Sequence, residues 1–138
     1  MMVAGLSMVH DGESEYGQIV KRDEVQVVTA QLAVEDTEAI VREYFSDIPI
    51  MIHIARCEST FRHTLADGSV LRGYVDNRDL GVMQINTFYH GDTAKRLGFD
   101  LENIYDNMAY ARNLYERKGT QPWNASYPCW GATLASAR

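Results

Sequence analysis

Two short stretches of this chain carry side chains that could do chemistry. The first is Ile50-Met51-Ile52-His53-Ile54-Ala55-Arg56-Cys57-Glu58, followed by Ser59-Thr60-Phe61. Five of the six residues from Ile50 to Ala55 are apolar, so as a helix this segment is expected to be buried, with an acid at its C-terminal end. At 3.6 residues per turn, Glu58 falls on the face of Met51 and Ile54. A carboxyl group held there loses hydration, its pKa rises, and it stays protonated near neutral pH, as a general acid must. The plainer alternative is a helix-terminal glutamate that turns out to solvent. The second stretch is Gly81-Val82-Met83-Gln84-Ile85-Asn86. Gly81 lets the backbone pass close to a ligand, Gln84 offers donors and acceptors suited to hydroxyl and acetamido groups, and Met83 is a compliant apolar wall. Alone, Gly-x-Met-Gln is a weak signal. With Glu-Ser-x-Phe 23 residues upstream, it becomes a strong one.

These residues need elements to position them. Asp47 is the expected N-cap of the Glu58 helix, and Pro49 fits its first turn, where a missing N–H costs nothing. Before it, Asp36 is expected to cap a helix running to about Ser46, with Ile40, Val41, Tyr44 and Phe45 as its apolar stripe. Residues 1–24 read as a tail without period. Val25–Val34 reads either as a strand, from the alternation of Val25, Val27 and Thr29, or as extended linker. After Glu58, Asp67-Gly68 signals a turn. Val70–Val75 alternates like a strand, and Leu80-Gly81-Val82 is placed to return antiparallel to it. Asp92 is expected to cap a helix over Thr93–Leu97 that ends at Gly98. A longer helix is expected from about Leu101 to Lys118, with Leu101, Ile104, Met108, Ala111 and Tyr115 on one face and Gly119 closing it. The aromatic segment Gln121–Trp130 holds two prolines and little helix signal. The predicted class is α+β, mainly α, with one small β-hairpin.

Composition excludes several function classes. A chain of 138 residues is one domain by length and can bury a real core. No run approaches the ~20 apolar residues of a membrane span. Residues 1–47 hold ten acids against three bases, a net −7, while residues 48–138 hold nine acids and ten bases, a net +1, which together account for the −6 of the chain. The acidity therefore belongs to the N-terminal third, and no basic patch suggests nucleic acid. No basic n-region followed by a long apolar h-region is evident at the N-terminus.

Taken together, Glu58-Ser59-Thr60-Phe61, Gly81-Val82-Met83-Gln84-Ile85 and Asn107-Met108-x-x-Ala111 resemble the soluble lytic transglycosylase (SLT) domains. The resemblance runs from about Asp36 to Trp130. It implies a lysozyme-like fold related to goose-type lysozyme over residues 35–138, with the hairpin beside the catalytic cleft and residues 1–34 as tail or linker. It also implies cleavage of the β-1,4 bond between N-acetylmuramic acid and N-acetylglucosamine in peptidoglycan, without a cofactor or metal. Glu58 would be the catalytic acid/base. Ser59, Gly81, Met83, Gln84 and Asn86 would line the sugar side, with Ser59 also supporting the helix end. Val82 stands where Leu is usual. The usual Ala-Tyr-Asn-x-Gly segment is not recognisable, and Trp123-Asn124-Ala125-Ser126-x-x-Cys129-Trp130 stands there instead. Tyr110, Tyr115 and Tyr127 are the candidates for its cleft tyrosine.

The implied reaction needs one carboxyl group when the muramyl 6-hydroxyl is the nucleophile and the product is a 1,6-anhydro ring. A hydrolase commonly uses two. Asp76 and Asp79 are candidates for a second carboxylate, and Asp76-Asn77-Arg78-Asp79 is equally ordinary turn chemistry. A third alternative is a glycan-binding scaffold that lost turnover, although such modules often lose the acid that is present here. His10, His53, His63 and His90 show no paired ligand spacing. Trp123 and Trp130 suit a packing lid or sugar stacking. The implied setting is extracytoplasmic (periplasm, cell wall or secreted), with peptidoglycan glycan strands as partner and a monomeric chain. In an oxidising compartment, Cys57 and Cys129, the only cysteines, are expected to form a disulfide. Residues 1–34 show no site-like cluster and are expected to be dispensable for catalysis.

Overall fold

The computed structural model describes residues 15–136, so the first fourteen residues of the expected tail lie outside the described residues. Helix α1 (Glu15–Tyr44) is a single helix of 30 residues. The expected strand or extended linker over Val25–Val34 is corrected, because these residues are helical, and Asp36 lies inside the helix instead of capping it. The alternation at Val25, Val27 and Thr29 covers only five positions. Ala30-Gln31-Leu32-Ala33 follow at once, and their propensity favours continuing the helix. Val25, Val27 and Val28 are exposed, whereas Val41 in the last turn of α1 and Phe45 just beyond it are wholly enclosed.

The turn into α2 (Pro49–Ser59) is held from outside. Arg112 donates to Asp47 through Nη1 (2.7 Å) and Nη2 (2.9 Å), and to the Tyr44 carbonyl (2.6 Å). It thus satisfies an orphan carbonyl at the end of α1, and its guanidinium lies 4.9 Å from the Tyr44 ring centroid. Asp47 is therefore not the cap of α2. Ile48 occupies that position without a side-chain hydrogen bond, while Pro49 sits in the first turn as expected. The helix buries Met51, Ile54, Ala55 and Ser59. It is amphipathic, since Arg56 is exposed and His53, Cys57 and Glu58 are half-buried.

The β structure is smaller than expected and differently closed. Strands β1 (Asp79–Leu80) and β2 (Ile85–Asn86) pair antiparallel, Asp79 opposite Asn86 and Leu80 opposite Ile85. The hairpin loop is thus Gly81-Val82-Met83-Gln84 itself. Val70–Val75 contributes only isolated bridges, Val70 to Thr64 and Arg72 to Leu80. Tyr74 and Val75 turn out into solvent, which ends the pairing. The Asp67-Gly68 turn forms as expected, with Asp67 accepting from the Ser69 N–H (2.9 Å) and Gly68 at φ +85°.

Helix α3 (Thr87–Arg96) starts earlier than expected, because Asn86 is its cap, accepting from the N–H groups of Phe88 and Tyr89. Asp92 consequently lies within the helix. Helix α4 (Ile104–Lys118) is capped by Asn103, and Gly119 (φ +60°) ends it. The C-terminal segment is helical after all, a 3-10 helix over Gln121–Ser126 followed by α5 (Tyr127–Ser136). Pro122 and Pro128 both fall in first turns, where proline is compatible with helix. The whole is mainly helical with one small antiparallel sheet, in α+β order. Among the described residues, no helix is long and apolar enough to cross a membrane.

Cys57 and Cys129 form a disulfide, joining α2 to α5 across 72 residues of chain. In the chain-entropy account, such a loop stabilises by about 4 kcal/mol. Cys129→Ser is therefore expected to lower the unfolding free energy by about that amount, read from urea denaturation under non-reducing conditions. A chain starting at Val34 is expected to keep one cooperative transition in the same measurement, because Val41 and Phe45 lie beyond the cut.

Candidate active site

Glu58 ends α2, and three features hold it. The Met51–Ile54–Ala55 face anchors the helix in the core. Ser59, buried beside it, donates its hydroxyl to the Ala55 carbonyl (3.0 Å). The neighbouring Cys57 is tied to α5. The helix then stops abruptly. Thr60 (φ 51°) and Phe61 (φ 57°) both take left-handed backbone, which costs a non-glycine residue of order 1 kcal/mol or more. The Thr60 N–H bonds back to the Arg56 carbonyl (2.9 Å), and buried Phe61 locks the conformation.

Glu58 itself does not swing free into solvent. Its Oε1 accepts a 2.5 Å hydrogen bond from the Ser126 hydroxyl. Burial raises the Glu58 carboxyl above its ordinary value. The Ser126 hydrogen bond opposes that rise, and the charge of Asp79 adds to it. Asp79 belongs to a small polar web in which Asn86 donates to Asp79 (2.8 Å) and to Asp76 (3.1 Å) while capping α3. The two candidate carboxylates are not equivalent. Asp76 accepts from the Arg78 guanidinium twice (2.8 Å each) and from the Arg78 N–H (2.9 Å), an Asx turn that holds its carboxyl well below the usual range. Asp76 is thus committed to turn chemistry, and Asp79 is the one whose charge reaches Glu58.

The Gly81–Gln84 loop is buried, irregular backbone, so each of its polar groups needs a partner. His63 Nδ1 accepts from the Val82 N–H (3.0 Å), and Asn107 Oδ1 accepts from the Met83 N–H (3.0 Å). Trp123 Nε1 donates to the Met83 carbonyl (2.9 Å), and the Asn107 amide donates to the carbonyls of Leu80 (2.9 Å) and Leu101 (3.0 Å). His63 faces the Glu102 carbonyl at 2.7 Å through Nε2, which identifies the neutral tautomer with its proton there. Burial lowers the pKa of this imidazole and keeps it neutral. Gly81 (φ +74°) has no room for a side chain, since a Cβ would stand 2.6 Å from the Asn107 amide nitrogen and 2.7 Å from the His63 ring. Packing within the protein therefore demands this glycine, whatever passes in front of the loop. Gln84 (φ 49°) folds back to donate to the Gly81 carbonyl (2.9 Å).

The remaining sequence-predicted residues separate. Met83 is wholly buried and forms core beneath the loop. Tyr110 is also wholly buried, with its hydroxyl 3.0 Å from His90 Nδ1. Tyr115 is half-buried. Tyr127 is exposed on α5, edge-on to Trp130. Both indoles, Trp123 and Trp130, are buried. A cavity of about 400 Å³ lies against Ile52, His53 and Arg56, the opposite side of α2 from Glu58, so it is not the cleft of the acid. Partial burial, Arg56 and Arg42 all lower the pKa of His53 there. Among the described residues, no group of His, Cys, Asp or Glu is arranged to hold a metal ion.

Sequence reasoning missed the roles of Ser126, His63 and Trp123. For Ser126 a signal existed, because a bond between Cys57 and Cys129 must bring the turn before Cys129 to the residue after Cys57. The chain matches no family model, no curated protein and no solved structure.

A carboxyl whose pKa rises on folding contributes stability that is fully present below its unfolded value and is lost as pH rises through the folded one. Glu58→Gln is therefore expected to match wild type near pH 4. Its unfolding free energy should then exceed that of wild type increasingly as pH climbs past 4.5, the ordinary carboxyl value, with the gap constant above the raised pKa. Urea unfolding across pH checks it.

Proposed function

We propose that this protein is a peptidoglycan lytic transglycosylase of lysozyme-like fold, with Glu58 as its single catalytic acid/base. One observation carries the reading: a half-buried glutamate with a raised pKa, near the end of a helix anchored in the core, which accepts a hydrogen bond from a hydroxyl and feels the charge of Asp79, two residues before the Gly-x-Met-Gln loop. Backbone strain supports it. Among the described residues, the three non-glycine residues with positive φ are Thr60, Phe61 and Gln84, all in the two stretches assigned to the site. Strain of this kind persists where the surrounding structure over-determines it, and it concentrates at functional sites.

In the proposed reaction, protonated Glu58 gives its proton to the glycosidic oxygen, which leaves as the 4-hydroxyl of N-acetylglucosamine. The bond from that oxygen to C1 of N-acetylmuramic acid breaks, and an oxocarbenium-like centre develops at C1. The muramyl O6 then bonds to C1, its proton passes to the Glu58 carboxylate, and the acid is restored with no water consumed. On this reading half-buried Gln84 meets sugar hydroxyl or acetamido groups, and exposed Tyr127 is the cleft tyrosine. Substrate strands, a monomeric chain and an extracytoplasmic setting belong to the same proposal, and the disulfide is compatible with that setting.

One observation favours a second reading, a lysozyme-type hydrolase. Asp79 acts on Glu58 through its charge and is oriented by Asn86, as a second carboxylate would need to be.

Digestion of purified sacculi followed by mass spectrometry separates the two. The expected primary product ends in 1,6-anhydromuramic acid, lighter by one water than the hydrolytic product. Glu58→Gln should lose activity by at least about 10²-fold, and Asp79→Asn should only weaken it. Reducing ends as the main primary product, together with abolition by Asp79→Asn, would establish the hydrolase. No release by wild type from any sacculus would leave a glycan-binding scaffold.

A further inference from the structure

We infer that Ser126 is a positioning residue for Glu58, occupying Oε1 so that the proton exchanged with substrate is carried on Oε2. The inference rests on the reading of Glu58 as the acid/base.

A serine hydroxyl has one hydrogen to give. Two acceptors lie within reach of Ser126 Oγ, Glu58 Oε1 at 2.5 Å and the Trp123 carbonyl at 3.1 Å. The shorter separation assigns the hydroxyl hydrogen to the carboxyl group, while the Trp123 carbonyl receives the indole N–H of Trp130 at 3.0 Å. Among the described residues, this is the hydrogen bond that Glu58 receives. It suits both halves of an acid/base cycle. Toward a neutral acid the hydroxyl donates to the carbonyl-type oxygen, which places the acid proton on the other oxygen. Toward the carboxylate the same bond becomes charge-assisted and stronger. Neither step needs Ser126 to move.

The mounting of Ser126 fits this role. It ends the 3-10 helix, three residues before Cys129, whose disulfide partner immediately precedes Glu58. The same short helix is pinned by Trp123 to the Met83 carbonyl of the Gly81–Gln84 loop. The hydroxyl, the acid and the loop are therefore tied together through the 3-10 helix. Few charges compete with the hydroxyl. No Asp, Glu, Lys or Arg occurs from Gln121 to Ser136, so the 3-10 helix and α5 present none. From the hairpin, Asp79 acts on Glu58, while Arg78 is taken by Asp76. From α1, Arg42 pairs with Glu38 and lines the cavity on the far side of α2 with His53 and Arg56.

The test is a carbon-13 NMR titration of the Glu58 carboxyl, assigned by its loss in Glu58→Gln, for wild type, Ser126→Ala and Ser126→Thr. Ser126→Ala is expected to move the Glu58 midpoint upward, because the lost bond favours the charged form, and Ser126→Thr to restore it. With glycan substrate, Ser126→Ala should lower kcat about 10- to 100-fold with KM little changed and should shift the pH profile in the same direction. An unchanged Glu58 midpoint in a folded Ser126→Ala protein with its disulfide intact would overturn the inference. Should that variant not fold, wild type decides alone. The Ser126 Cβ resonance is expected to titrate with the Glu58 carboxyl and to lose that inflection in Glu58→Gln, and a flat resonance overturns the idea. The titration needs no turnover. Inactivity of wild type toward every glycan would defeat the transglycosylase reading while the Ser126–Glu58 coupling is still decided.

Discussion

The site depends on one constraint, that the backbone of a buried, irregular loop must find partners away from water. An unpaired buried N–H or carbonyl costs about 1–3 kcal/mol, and in Gly81–Gln84 the backbone pairs, among the described residues, only at the N–H groups of Gly81 and Gln84 and the Gly81 carbonyl. At Val82 and Met83 three side chains from three parts of the chain serve instead: His63 after α2, Asn107 on α4 and Trp123 on the 3-10 helix. Each supplies a different combination of donor and acceptor, and each is nearly or wholly enclosed. Asn107 serves the loop with its oxygen and two neighbouring carbonyls with its nitrogen, leaving no group idle. The loop therefore has one shape, imposed from behind.

The same economy of parts governs the acid. Burial alone favours a neutral Glu58. The Ser126 hydrogen bond pulls in the opposite direction, and the nearby Asp79 charge pulls back. Glu58 is thus set by opposed influences, burial and the Asp79 charge raising its pKa and the Ser126 hydrogen bond lowering it. Asp76 is the contrast. Held by Arg78 from side chain and backbone at once, it stays ionised and structural.

What the sequence made legible follows from which interactions are local. The helical span that carries Glu58, the Asp67-Gly68 turn and the Gly119 terminus are written in adjacent residues and appear where expected, although Ile48 and not Asp47 caps that helix. The disulfide followed from compartment and count. Boundaries failed where two local signals competed. Asn86 and Asp92 are both good caps, and only the pairing of β2, which ends at Asn86, decides between them. Proline in Gln121–Trp130 suggested irregular chain, yet each proline lies in a first turn. Val25–Val34 alternated too briefly to outweigh the helix formers after it. The polar partners of the loop and of Glu58 were the least visible, because separations of 19 to 68 residues leave no periodic trace.

That last separation bears on how the protein is made. Ser126 lies 68 residues downstream of Glu58. At synthesis rates of about 5–20 residues per second, the acid therefore exists for roughly 3–14 s before its partner has been polymerised. Cys57 likewise waits for Cys129. A nascent chain, or one released early by a premature stop, carries the glutamate without the hydroxyl that orients it and without the bond that fastens its helix. Synthesis through Cys129 is thus the event that joins Glu58 to its hydroxyl and its helix to α5, and the segment from Ser126 to Cys129 acts as the keystone.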